Sequence, residues 1–170
     1  MNINFLSLFL AALVPMVLGF VWYHDKMFLK PWMEATGMTK EKMNSGNMLL
    51  VFGGSFLCSL VLAFVMNIIA YHDSFVMGSL YYETNGGVPD PASAAGQWAK
   101  TYMDNYAHSN HTFKHGAFHG AMIAGLLIAT PILVTEAIYE QKGWKYILIK
   151  SGYWVISLSI MGGIIASMAK

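Results

Sequence analysis

Four long runs of apolar residues, separated by polar segments, organise the chain. They cover residues 3–23, 47–71, 115–138 and 146–168, and few charged residues interrupt them. An α-helix rises about 1.5 Å per residue, so about 20 residues cross the hydrocarbon core of a bilayer. The runs lack the alternating polar positions of barrel strands, and a helix satisfies its own backbone hydrogen bonds in lipid. The pattern predicts an all-α, four-helix membrane bundle in which residues 1–170 form a single membrane domain.

The segment between the second and third runs, residues 72–114, is the longest polar connection. Its NGGVPDP sequence at 85–91 combines residues that favour turns, and Asp90 before Pro91 is typical of a helix start. Residues 92–107 then favour a short amphipathic helix, which we expect to lie on the membrane surface or to cap the bundle. Three aromatic residues share one face of that helix: Trp98, Tyr102 and Tyr106.

Small residues recur four positions apart within every predicted span. In lipid, such residues mark helix contacts because they allow two backbones to approach closely. The positions that we expect at helix contacts are Gly19, Ser55, Ser59, Ala63, Gly116, Gly120, Ala124, Ser159 and Gly163. Pro15 and Pro131 each remove a backbone donor inside a span, which predicts kinks in the first and third helices. Such packing favours a tight bundle that forms a homo-oligomer or joins a larger membrane complex.

Composition supports the membrane assignment and argues against several functions. The chain is 56% apolar and 11% charged, whereas soluble proteins average about 25% charged residues. Arginine is absent and the net charge is +1, so the chain lacks the basic surface that nucleic-acid binding requires. The single cysteine, Cys58, cannot form a disulfide within the chain. Because the sequence has no catalytic triad, phosphate loop or dinucleotide motif, we expect a protein that is not an enzyme.

The distribution of lysines predicts an orientation. One group, on the side of the first and third connections, comprises Lys26, Lys30, Lys40, Lys42, Lys142, Lys145 and Lys150. The other side has Lys100, Lys114 and Lys170. Positively charged residues are concentrated on the cytoplasmic side of membrane proteins. We therefore expect both termini and residues 72–114 to lie outside.

Histidines are concentrated where the second connection meets the third run. His108, His111, His115 and His119 follow one another at helical spacing, within about 80° around a helix. Two histidines four residues apart can direct both imidazoles at one ion, which is why this spacing recurs in metal sites. Because the four cover about 16 Å along a continuous helix, they share one ion only if that helix breaks.

The order of the spans adds two residues to this cluster. The second span ends on the side where the third begins, so His72 and Asp73 can approach the histidines of the third span. The candidate metal ligands are therefore His72, Asp73, His115 and His119, with His108 and His111 as additional ligands. Imidazole and carboxylate ligands suit zinc, copper, nickel or iron better than calcium.

Three other roles stay open for these histidines. A haem b group needs two histidines that face each other across the bundle, and His72 with His115 or His119 meets that condition. A proton relay would use the same residues, because histidine titrates near neutral pH. In the simplest alternative, the histidines hydrogen-bond the second connection to the helix ends and bind nothing.

Three stretches resemble a known family of membrane proteins. They read WYHDKMFLKPWMEATGMT after the first run, FKHGAFHG at the start of the third and KYILIKSGYWVISLSIMGGII in the fourth. They are similar to domain-of-unknown-function family 1761, and the resemblance implies a small four-span protein of the bacterial inner membrane with no established activity. The positions that fit the family pattern are Trp22, Tyr23, Phe28, Trp32, Gly37, His115, Gly116, His119 and Gly120. The long second connection departs from that pattern.

These observations favour a non-enzymatic structural or assembly subunit with a histidine-lined polar site near the outer surface. One alternative is a protein that binds or transports a metal through His72, His115 and His119. Another is a small haem-binding or proton-relay subunit. The expected partners are the lipid bilayer, a second copy of the chain or a larger membrane complex, and no nucleic acid.

Overall fold

The computed structural model describes residues 3–169, and this part of the chain forms helices and turns without strands. Four of its helices are long and apolar enough to cross a membrane: Phe5–Trp22, Met48–Ile69, Phe113–Tyr139 and Trp144–Ser167. We refer to them as the first to fourth spans. Each lies within a few residues of a predicted run, so the all-α fold and the four-span membrane character are confirmed.

Polar residues that flank the apolar runs determine where the spans begin. The side chain of Asn4 accepts hydrogen bonds from the backbone N–H groups of Leu6 and Ser7. Asn47 accepts one from the N–H group of Leu50 at the start of the second span. Such caps satisfy backbone donors that have no partner inside the helix. The spans therefore begin where the polar connections supply a cap.

The connections contain short helices: Leu29–Thr36 and Lys40–Asn44 in the first, and Asp73–Ser79, Ala94–Tyr102 and His108–Asn110 in the second. A π-helical segment, Met103–Ala107, joins the last two. The helix predicted over residues 92–107 thus extends over residues 94–110. Its cap is Ser93, whose side chain accepts a hydrogen bond from Gly96, whereas Asp90 accepts one from Ala92 in the preceding turn.

The fourth span lies at the centre of the bundle and contacts each of the other three. Its contact with the third span brings backbone against backbone. A side chain added at Gly116 would collide with the carbonyl group of Gly162, and one added at Gly120 would collide with that of Leu158. Only residues without a side chain allow two helices to approach this closely.

The other predicted packing residues have varied surroundings. Four of them are buried: Ser59, Ala63, Ala124 and Gly163. The hydroxyl group of Ser159 donates to the carbonyl oxygen of Ala117 at 3.0 Å, which links the fourth span to the third. A Cβ atom at Gly19 would lie 3.6 Å from the hydroxyl group of Tyr153. Ser55 is exposed on the surface of the second span.

A π-helical segment, Gly120–Ala129, forms the centre of the third span. The carbonyl oxygen of Gly125 accepts two hydrogen bonds from Thr130, one from its N–H group and one from its hydroxyl group at 2.9 Å. Pro131 follows, and its nitrogen has no hydrogen to donate. The sequence predicted a kink near Pro131, and the structure has a change from π to α hydrogen bonding there.

One end of the bundle contains the start of the third span and the end of the second. A Cβ atom at Gly116 would collide with the side chain of Ala166, so the fourth span ends here too. The side-chain amide of Asn4 donates to the carbonyl oxygen of Met168 at 2.9 Å, which places the start of the first span at the same end. We call this the histidine end because it holds His72, His115 and His119. Which side of a membrane it faces stays a prediction.

Candidate metal site

Three histidines from two parts of the chain converge at the histidine end. His72, His115 and His119 each offer one ring nitrogen, and the three nitrogens lie within 4.8 Å of one another. The ring centroid of His72 is 5.0 Å from each of the other two, which are 4.2 Å apart. All three side chains are partly buried. We call these residues the histidine triad.

Helix geometry explains why these rings meet. His115 and His119 are separated by about one helical turn, so both project from the same face of the third span. Thr112 fixes the start of that span, because its hydroxyl oxygen accepts a hydrogen bond at 3.2 Å from the N–H group of His115. His72 lies just beyond the second span, which ends at Ile69.

A backbone hydrogen bond orients the His119 ring. Its Nδ1 atom lies 3.1 Å from the carbonyl oxygen of His115. A carbonyl oxygen only accepts, so Nδ1 carries the hydrogen and donates it. The lone pair of the neutral ring is then on Nε2, which is left available as a ligand. Metal-binding histidines commonly have their second ring nitrogen fixed by a carbonyl or carboxylate group in this way.

The His115 ring has an unsatisfied polar atom. Its Nε2 atom is buried and has no hydrogen-bond partner among the described residues. Leaving a buried polar group without a partner costs about 1–3 kcal/mol. A cation bound between the three rings would give this nitrogen a partner.

The surroundings of His72 favour its neutral form. Burial lowers the pKa of this imidazole, and the neighbouring His119 lowers it further, while the Asp73 carboxylate acts in the opposite direction. Burial disfavours the charged form, and a second imidazolium nearby would repel it. Neutral imidazole is the form that binds metal ions, because its free nitrogen retains a lone pair.

Asp73 and His111 pair with each other beside the triad. The Oδ2 atom of Asp73 lies 2.9 Å from Nε2 of His111, and their side chains are 14% and 15% exposed. The His111 ring also packs edge-on against Tyr71, with ring centroids 5.1 Å apart. The pair therefore joins the end of the second span to the start of the third.

Comparison with known proteins identifies the family. The chain matches the model of a family described as protein of unknown function (DUF1761) over residues 6–166. The chain belongs to this family. No curated protein and no solved structure matches it significantly. The resemblance seen in the sequence is confirmed. Membership of a family of unknown function does not establish an activity.

In this DUF1761 protein the six predicted ligand residues fall into three groups. The triad residues are together, and Asp73 is paired with His111 through Oδ2, while its Oδ1 atom is buried without a hydrogen-bond partner among the described residues. His108 is exposed in the short helix His108–Asn110 and lies outside the group of close ring nitrogens. Sequence reasoning missed the pairing of Asp73 with His111, because 38 positions separate them and no local pattern signals such a contact.

The third and fourth spans pack closely beside the triad. A Cβ atom at Gly162 would lie 3.0 Å from the methyl group of Met66 and would collide with the backbone of Gly116. Met66 and Met161 are almost completely buried, at 1% and 0% exposure. Close backbone packing and buried methionines thus hold the first turn of the third span against the fourth span.

Proposed function

We propose that this DUF1761 protein binds a transition-metal ion through His72, His115 and His119 at the surface of the membrane. The observation that carries the proposal is the convergence of three imidazole nitrogens within 4.8 Å. The hydrogen bond from the His119 ring to the backbone and the unpartnered His115 nitrogen support it.

The ligand chemistry defines the class of ion. Three imidazoles suit zinc, copper, nickel or iron, whereas calcium and magnesium prefer oxygen ligands. A four-coordinate zinc ion with three protein ligands keeps one position for water or another ligand. The triad contains no carboxylate, so a divalent ion there would keep its positive charge and attract an anion or water to that position.

The geometry favours an ion over haem. The rings of the triad contact one another, with centroids 5.0 Å apart or closer. A haem held by two histidines lies between their rings, and these rings leave no gap for it. A proton relay would use the same histidines together with the buried hydroxyl group of Tyr71, which donates to Oδ1 of Asn67 at 3.0 Å inside the second span.

The packing also bears on the hypothesis of a structural or assembly subunit. The glycines of the third span that were expected to bring helices together, Gly116 and Gly120, contact the fourth span of the same chain. They are therefore not available to a partner. Metal binding is the function that the described side chains support best.

The test is the metal content of the wild-type protein. Purified in mild detergent, without chelators and with its affinity tag removed, it is expected to hold about one transition-metal ion per chain by elemental analysis. After the metal is stripped, titration with Co²⁺ is expected to produce the visible d–d absorption of a protein-bound cobalt ion. A protein that arrives metal-free and gives no cobalt absorption at neutral pH would contradict the proposal.

A further inference from the structure

The spacing of the triad depends on how two separate elements are joined. His115 and His119 belong to the third span, whose glycines fix it against the fourth span. His72 belongs to the chain that follows the second span. The distance between His72 and the other two rings is therefore set by the contacts between the end of the second span and the start of the third.

Asp73 and His111 make such a contact. Asp73 directly follows His72, and His111 precedes Thr112, the residue that caps the third span. The carboxylate Oδ2 of Asp73 accepts a hydrogen bond from Nε2 of His111 at 2.9 Å. Hydrogen bonds to a charged group are stronger than neutral ones, and both side chains are mostly buried, so solvent and salt screen this one weakly.

We propose that Asp73 and His111 are positioning residues that act as a clamp, holding His72 at ligand distance from His115 and His119. This inference rests on the proposed metal site. It assigns to Asp73 and His111 a role in the shape of that site, because Oδ2 of Asp73 and Nε2 of His111 bond to each other across the gap between the two elements.

A chain of contacts anchors the clamp to the second span. The His111 ring packs against Tyr71. The hydroxyl group of Tyr71 donates to Oδ1 of Asn67 at 3.0 Å, and the side-chain amide of Asn67 donates to the carbonyl oxygen of Ala63 at 3.2 Å. Asn67 and Ala63 are buried. Movement of His111 is therefore resisted by the body of the second span as well as by Asp73.

A clamp of this kind affects the metal through the positions of its ligands. Loss of residues that orient metal ligands typically lowers metal affinity about 10- to 100-fold. The number of ions bound is unchanged, because the three imidazoles remain. Loss of the clamp also frees the start of the third span from the end of the second, whether or not a metal is bound.

Two substitutions at one position separate the hydrogen bond from the packing. His111→Phe keeps a ring against Tyr71 and removes the donor to Asp73. His111→Gln keeps an N–H donor at a similar reach and removes the ring. We expect His111→Phe to bind Zn²⁺ about 10- to 100-fold more weakly than wild type in competition with a chromogenic chelator, and to alter the Co²⁺ absorption spectrum. His111→Gln is expected to restore most of the affinity and the wild-type spectrum.

Hydrogen exchange of the metal-free proteins gives a readout that does not depend on the metal site. The N–H groups of His115 and Gly116 bond to the side chain and carbonyl group of Thr112 in the first turn of the third span. We expect faster exchange of these two amides in His111→Phe than in wild type, and near wild-type exchange in His111→Gln. Asp73→Leu removes both carboxylate oxygens at similar size. It is expected to change both readouts in the same direction as His111→Phe, and it is measured instead if His111→Phe does not fold.

The outcomes distinguish the two proposals. If the wild type binds no metal, the metal site is refuted and the exchange of the first-turn amides decides the clamp. Equal exchange in wild type and His111→Phe would overturn the clamp. So would wild-type Zn²⁺ affinity and an unchanged cobalt spectrum in a folded His111→Phe or Asp73→Leu protein, even though the metal site itself would stand.

Discussion

Replacing both His115 and His119 with alanine is expected to abolish metal binding by the purified protein. Two of the three imidazoles that converge within 4.8 Å are removed, and His72 alone offers a single neutral ligand. The loss of Zn²⁺ affinity should exceed the roughly 100-fold that loss of an orienting partner costs, because ligands themselves are lost. Competition with a chromogenic chelator and elemental analysis measure the effect.

The matched control replaces two histidines outside the triad, His24 and His108, which are both exposed. This variant is expected to bind metal as the wild type does. Both proteins should keep wild-type helix content by far-ultraviolet circular dichroism, because the backbone contacts of Gly116 and Gly120 are unchanged. Wild-type affinity in the His115→Ala, His119→Ala protein would show that any bound metal is held elsewhere.

Replacing Gly120 with leucine is expected to separate the third and fourth spans. The new side chain would collide with the backbone carbonyl group of Leu158, and backbone cannot move aside unless the whole fourth span is displaced. Overpacking a well-packed interior typically costs about 1–3 kcal/mol, and a collision with backbone places this substitution at the upper end of that range or above it. Thermal unfolding in detergent and the gel-filtration profile measure the effect.

Gly54→Leu is the control for that substitution. Gly54 lies in the second span, and apart from its own helical turn no atom of residues 3–169 is within 4 Å of the position that its Cβ atom would occupy. The same added side chain should therefore leave the unfolding temperature close to that of the wild type. If Gly120→Leu and Gly54→Leu unfold at the same temperature, close approach of the third and fourth spans does not stabilise the bundle.

The spans were predictable from the sequence because length and hydropathy alone determine whether a helix can cross a bilayer. The spacing of Gly116 and Gly120 likewise predicted a contact face. Spacing shows which residues share a face, but not how far a neighbouring helix extends along it. Ser55 shares a stripe with Ser59 and Ala63, yet it is exposed while the other two are buried. The π-helical segment Gly120–Ala129 was not predictable from the sequence pattern either. It depends on which carbonyl group accepts the hydrogen bond of each backbone N–H group.

The core of the candidate site was predictable for a different reason. Histidines four apart on one helix must project together, and the order of the spans brings His72 to the same end. The separate role of Asp73 and His111 was not predictable, because it depends on where the second connection returns to the bundle. The sequence predicted both residues as metal ligands because they are polar and lie near the triad. In the structure a hydrogen bond pairs them with each other.

The close contact of Gly162 with Gly116 holds the third span against the fourth at the level of the triad, because Gly116 lies between His115 and His119 in the sequence. Two of the three imidazoles therefore belong to a helix that is fixed by backbone contact, whereas His72 belongs to the chain that follows the second span. An ion held by the three imidazoles would then be released by movement of the segment that carries His72, and not by movement of the third span.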